Sequence, residues 1–204
     1  MHRASLYGII GKAFDERLKQ LNALFDFEEI LDRPLNKLSG GQKRKIDIVR
    51  ALIHNPKILI LDEPTTGLDP QTRTNIWKVI DQMRKQNNLT VLLTTHYMEE
   101  AAEADYVVII DGGKCAAEGT PHQLKNAYSS DYITLYGDIE DKVKELGVKY
   151  EKRSDGVRIE VENTKKATEF ILKHPDLFID YEITKGKMDS VFLSVTGKKL
   201  GEER

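Results

Sequence analysis

Cysteine is almost missing from this sequence: Cys115 stands alone among 204 residues. A single thiol excludes an internal disulfide and suits a reducing compartment. Long apolar runs are missing too, none approaching the roughly 20 residues that cross a bilayer. No charged-then-apolar leader of the secretory kind opens the chain, so any membrane-spanning portion is expected elsewhere. Charge of one sign is equally scarce. Lys and Arg number 31 against 33 Asp and Glu, a formal net charge of -2, which argues against a nucleic-acid partner held by bulk charge. The basic run Lys43-Arg44-Lys45 accordingly reads as a solvated face of one helix.

A phosphate-binding P-loop is missing as well. Gly8-Ile9-Ile10-Gly11-Lys12-Ala13 comes nearest, but it has two residues between its glycines where the motif has four, and Ala13 has no hydroxyl for magnesium. The segment belongs to a mainly helical stretch over 5–31, in which Leu18, Leu21, Leu24 and Phe25 form one apolar stripe.

What the sequence does have centres on residues 38–69. Leu38-Ser39-Gly40-Gly41-Gln42 precedes a helix predicted from about Gln42 to His54, with Ile46, Val49 and Ile53 on one stripe. Ser39 can cap that helix, and two glycines at its positive end leave room for a phosphate. The run Ile58-Leu59-Ile60-Leu61 then ends on Asp62-Glu63-Pro64. Four apolar residues finishing on two acids predict a strand buried on both faces, as in parallel sheets. Its carboxylates would lie at the strand's carboxyl end, where open α/β sheets bind ligands. Asp69-Pro70 starts a helix on local rules alone, with Ile76, Ile80 and Met83 buried. Thr90 to Thr95 predicts a second buried strand, followed by His96.

Leu-Ser-Gly-Gly-Gln, the apolar run with Asp-Glu, Gly67-Leu68-Asp69 and Thr94-Thr95-His96 resemble, in order, the signature motif, Walker B strand, D-loop and H-loop of an ATP-binding cassette (ABC) transporter nucleotide-binding subunit. The resemblance implies an α/β fold, the C-terminal part of an ABC-type P-loop ATPase domain, over residues 1–127. The family's P-loop and Q-loop lie upstream of the signature and are not found here, so this chain alone is expected to be inactive. It implies ATP and magnesium as cofactors. Ser39, Gly40, Gly41 and Gln42 would bind the ATP of a partner subunit, Asp62 would hold magnesium through water, Glu63 would act on the attacking water with His96 on the γ-phosphate, and Asp69 would carry signals across the dimer. The implied partners are a second nucleotide-binding subunit, in a homo- or heterodimer, and a transmembrane permease that holds the subunit on the cytoplasmic face of the membrane, with no nucleic acid. The remaining histidines, His2, His54, His122 and His174, match nothing and read as surface or packing residues.

Downstream, Tyr97 to Ala104 predicts a short helix, Val107 to Gly119 a hairpin around Asp111-Gly112-Gly113-Lys114, and Pro121 to Ala127 a last helix. After a linker at Tyr128-Ser129-Ser130-Asp131, the order of patterns becomes βαββαβ. Val157, Ile159 and Val161 alternate with charged residues as one half-buried strand, and Ile179, Tyr181 and Ile183 mark the final one. This predicts a small α+β ferredoxin-like domain over 132–197, read as a packing or dimerisation module. The tail Asp189 to Gly197 resembles that of exporter-type subunits of the multidrug and sodium-efflux kind. Two other readings stay open: a soluble ABC-type ATPase not coupled to transport, and a non-catalytic dimerisation or regulatory piece.

Overall fold

The stripe at Leu21 and Phe25 and the repeat at Ile76, Ile80 and Met83 fix how the first part of the chain folds, because each must be covered by another element. The computed structural model describes residues 2–197, with side chains from residue 4; the side chain of His2 lies outside the described residues. Two compact units divide between Thr95 and His96.

Unit 1 holds α1 (His2–Ser5), α2 (Lys12–Phe25), α3 (Gly40–Leu52), β1 (Ile58–Asp62), α4 (Pro70–Asn87) and β2 (Thr90–Thr94). The two strands pair in parallel, Ile58 opposite Thr90 and Asp62 opposite Thr94, with α4 as their crossover. Leu21, Ile48, Leu52, Leu59, Ile76 and Met83 meet in one core. Helix α3 starts two residues before the predicted position because Ser39 caps it in a reciprocal box with Gln42.

Both strands depart from the expectation of burial on two faces. Leu59 and Leu61 face the core, whereas Ile58, Ile60 and Leu92 are 62%, 71% and 60% exposed. Period-two geometry puts Ile58 and Ile60 on one side of the sheet, and among the described residues no element covers that side.

Unit 2 contains two packed modules. In the first, α5 (Met98–Ala102), the hairpin β3 (Val107–Asp111) and β4 (Lys114–Gly119), and α6 (Pro121–Tyr128) surround Met98, Ile109, Ala117 and Leu124. Gly112 and Gly113, both at positive φ, make the tight turn that the strand twist favours. In the second, β5 (Asp131–Tyr136), α7 (Glu140–Glu145), β6 (Tyr150–Lys152), β7 (Gly156–Val161), α8 (Thr164–Lys173) and β8 (Tyr181–Thr184) form an antiparallel sheet in the order β6-β7-β5-β8. That is the order a split βαβ requires. Ile133, Leu135, Val143, Val157, Ile159 and Ala167 fill its core.

Three expectations change here. Ile179 lies before β8 and is 91% exposed. The expected linker shrinks to Ser129-Ser130, since Asp131 begins β5 and is only 4% exposed. Finally, α9 (Met188–Thr196) leaves the accessory sheet and puts Met188 and Val191 into the core of the helix-and-hairpin module. A boundary at 128–131 therefore does not separate independent bodies, because the chain's last helix returns across it.

Candidate functional site

Ser39 sits at φ -63 and ψ 165, just outside α3, and its Oγ accepts from the Gln42 N–H at 3.2 Å while the Gln42 side-chain oxygen accepts from the Ser39 N–H at 3.0 Å. The box occupies the Ser39 oxygen as an acceptor and leaves its hydroxyl hydrogen able to donate. A Cβ built on Gly40 would meet nothing within 4 Å, so the first turn is open on that side. On Gly41 it would lie 3.0 Å from the Thr72 methyl, because this glycine packs on the start of α4.

That close approach brings two motifs together. Ser39, Gly40, Gly41 and Gln42 line one cavity of about 740 Å³ with Gly67, Leu68, Asp69 and Thr72. Lys45 and Lys78 also border it, opposed by Asp26 and Asp69. Asp69 caps α4 by accepting from Thr72 N–H at 2.9 Å and Thr72 Oγ1 at 2.6 Å. Those bonds hold its carboxyl below the usual carboxylate range, so it stays charged. The cavity offers anion-binding helix geometry and two cations, opposed by two acidic residues.

Asp62 and Glu63 end β1 outside this cavity. Thr94 at the end of β2 organises them: its Oγ1 donates to Asp62 Oδ1 and accepts from the Glu63 N–H at 3.1 Å. Glu63 has φ 42, a left-handed conformation uncommon for a residue other than glycine, and its Oε2 accepts from Thr66 Oγ1 at 3.0 Å. Among the described residues no group of three or more His, Cys, Asp and Glu could hold a metal. The adjacent acids suit magnesium, which takes one or two carboxylates and keeps waters and phosphate oxygens for the rest.

His96 opens unit 2, exposed, with its ring 4.3 Å from that of Tyr97. Three of the unmatched histidines pack or pair locally, His54 stacking on Tyr7 at 4.0 Å, His174 tilted against Phe170 at 4.9 Å, and His122 lying 3.3 Å from Asn126.

The basic run at 43–45 corrects the expectation of a merely solvated face. Lys43 is exposed, but Lys45 Nζ donates to the Asp26 carbonyl at 3.1 Å. Arg44 reaches the carbonyls of Asp62, Glu63 and Pro64. Sequence reasoning missed Arg44 and Thr94 because both act across 18 to 32 residues of chain.

A helix start with a serine cap and two glycines thus shares one cavity with a Gly-Leu-Asp turn, in an α/β unit whose first strand ends on two acids. Residues 3–66 match the family described as ABC transporter; the chain contains part of an ABC transporter ATP-binding domain. It is similar to Nod factor export ATP-binding protein I of Cupriavidus metallidurans, 34% identical over 95% of this chain and 65% of that protein. Daunorubicin/doxorubicin resistance ATP-binding protein DrrA of Streptomyces peucetius is 32% identical over 89% of this chain and 59% of its own length. The solved structure of an ATP-binding subunit of an ABC transporter aligns at 30% identity and a TM-score of 0.53, over 62% of this chain and 52% of that one. The chain thus spans about two thirds or less of the relatives it matches.

Proposed function

We propose that this sequence works as the signature, Walker B and D-loop part of the ATP-hydrolysing subunit of an ABC exporter, with each ATP shared between two polypeptides. The observation that carries this reading is the cavity on which Ser39, Gly40, Gly41, Gln42 and Asp69 converge, open beside Gly40. The Ser39 hydroxyl and the first amides of α3 grip the γ-phosphate of ATP held by a partner subunit, with Gln42 fixing the cap. Asp69 reports that contact across the pair. On this chain's own side, Asp62 holds magnesium through water, Glu63 orients or deprotonates the attacking water, and His96 contacts the γ-phosphate. Magnesium, when bound, neutralises charge on the β- and γ-phosphates.

Charge-assisted hydrogen bonds contribute about 1.5 to 3 kcal/mol each. Reversing a two-state equilibrium from 1:99 to 99:1 takes about 5.5 kcal/mol. Two to four such bonds made only to the γ-phosphate therefore suffice to close the pair, and hydrolysis removes them. A membrane permease converts that motion into transport from the cytoplasmic face. Export is favoured over import because the similar proteins include one named for Nod factor export and one for drug resistance. The chain alone does not turn over ATP, since no stretch of it wraps the β- and γ-phosphates.

The test joins this chain to an ABC-type P-loop half and compares wild type with Glu63→Gln in a steady-state phosphate-release assay. Turnover falls by about 10²- to 10⁴-fold, the range for a general base, while ATP binding persists. Unchanged phosphate release would remove Glu63 from the role of base.

A further inference from the structure

We infer that Arg44 is a positioning residue that couples the two nucleotides of the pair, tying the helix whose start grips the partner's phosphate to the backbone that carries this chain's own Glu63. The inference rests on the reading of Ser39–Gln42 and Glu63 given above.

Arg44 stands in the second turn of α3, five residues after the Ser39 cap. Its Nε donates to the Pro64 carbonyl at 2.6 Å, and its Nη2 to the carbonyls of Asp62, at 2.6 Å, and Glu63. Three successive carbonyls thus converge on one planar cation. The residue at their centre is Glu63, at φ 42. Left-handed backbone at such a residue persists only where the surroundings over-determine it. Arg44 does so from the α3 side, and Thr94 from the β2 side, where its carbonyl and Oγ1 both accept the Glu63 N–H at 3.1 Å.

The fork geometry decides the residue type. A guanidinium presents several fixed donors to several acceptors at once, whereas a lysine ammonium is a compact point charge. Neither flanking cation shares this role, since Lys43 is exposed and Lys45 is bonded to the Asp26 carbonyl. A shift of α3 on capturing phosphate at its first turn is therefore carried through the Arg44 guanidinium, held by three carbonyls, to the backbone of Glu63. Phosphate at one site sets the aim of the base at the other.

The experiment is an amide-resolved NMR titration of the 204-residue chain with sodium triphosphate, run on wild type, Arg44→Gln, Arg44→Lys and Lys43→Gln. In wild type and Lys43→Gln, triphosphate shifts the amides of Ser39–Gln42 and also those of Glu63, Thr65 and Thr66. Arg44→Gln keeps the first set at the same midpoint and loses the second; Arg44→Lys recovers the second in part. Shifts at Ser39–Gln42 with none at Glu63–Thr66 in wild type, or undiminished Glu63–Thr66 shifts in the Arg44 variants, overturn the coupling and leave the phosphate reading intact. No shift at Ser39–Gln42 in wild type overturns the phosphate reading itself, and the coupling with it. Should Arg44→Gln not fold, Arg44→Lys decides: a weakened Glu63–Thr66 response supports the coupling, a full one refutes it.

Discussion

Ile60 and Ile133 are both central residues of apolar strands, yet the first is 71% exposed and the second fully buried. The same contrast runs through the polar groups near each. Around Ile133 the accessory sheet closes on itself, and its one buried acid, Asp131, accepts from Thr164 Oγ1 at 2.7 Å and the Gly186 N–H at 3.2 Å, with Lys185 Nζ 3.1 Å away. Around Ile60 the strand ends on exposed Asp62 and Glu63, and Glu63 is held left-handed. One region spends its side chains on satisfying itself; the other keeps a sheet face, a helix start and two carboxylates directed outward. The left-handed residue and the exposed acids thus lie in unit 1, while the buried acid of the accessory sheet is satisfied within its own module.

The largest effect separating the regions is expected from Leu135→Ala in the closed core. Deleting a fully buried leucine costs about 2 to 5 kcal/mol, so the accessory sheet should unfold at lower urea. Trp77, the only tryptophan, lies on α4 and reports unit 1 alone. Its fluorescence transition should stay in place while the circular-dichroism transition moves; joint movement of both would erase the distinction between the regions.

Asp131→Asn comes next, costing about 1.5 to 3 kcal/mol for lost hydrogen bonds to a charged group, and it carries a pH signature. Burial alone would raise the Asp131 pKa, but the Thr164, Lys185 and Gly186 hydrogen bonds and the Lys185 charge outweigh it and hold it below its ordinary value. A folded value below the unfolded one gives stability that is full above about pH 4 and is lost as the pH falls through the lowered folded value. The gap between wild type and Asp131→Asn should therefore be level at neutral pH and narrow below about pH 4. A gap that widens on acidification would contradict the assignment.

The smallest effect belongs to Ile60→Thr. On an uncovered face the change in the Trp77 transition should stay within about 0.5 kcal/mol. A loss of several kcal/mol would mean that Ile60 is packed.

Much of this contrast was written locally. The glycine pair at 112–113, the alternation of Val157, Ile159 and Val161, the Asp69-Pro70 start and the βαββαβ order all depend on neighbours in sequence, and each formed as expected. The open face of β1 was not legible, because a run of four apolar residues predicts burial without saying which covering elements the chain contains. Nor was the return of α9, whose Met188 and Val191 are apolar in any arrangement. Gly186 was likewise silent until its neighbour was known: a Cβ there would lie 1.8 Å from Ser129 Oγ. Ser39, Gly40, Gly41 and Asp69 were found by resemblance, and the structure places them around one cavity. Arg44 was passed over because a charge run reads as solvated until its carbonyl partners, 18 to 20 residues away, are seen.

The claim on which the rest depends is that two polypeptides complete each nucleotide site, and complementation tests it most directly. Copies carrying Ser39→Arg and copies carrying Glu63→Gln, each joined to an ABC-type P-loop half, are assayed for phosphate release separately and after mixing. Separately both should be inactive; mixed, they should recover turnover, because one site of each hybrid pair then takes its serine and its glutamate from the unaltered positions of the two copies. Copies carrying both changes, mixed with wild type, should form hybrids with no intact site. Failure of the first mixture to recover, or a second mixture that keeps the full turnover of the wild type it contains, would contradict a nucleotide shared across two chains.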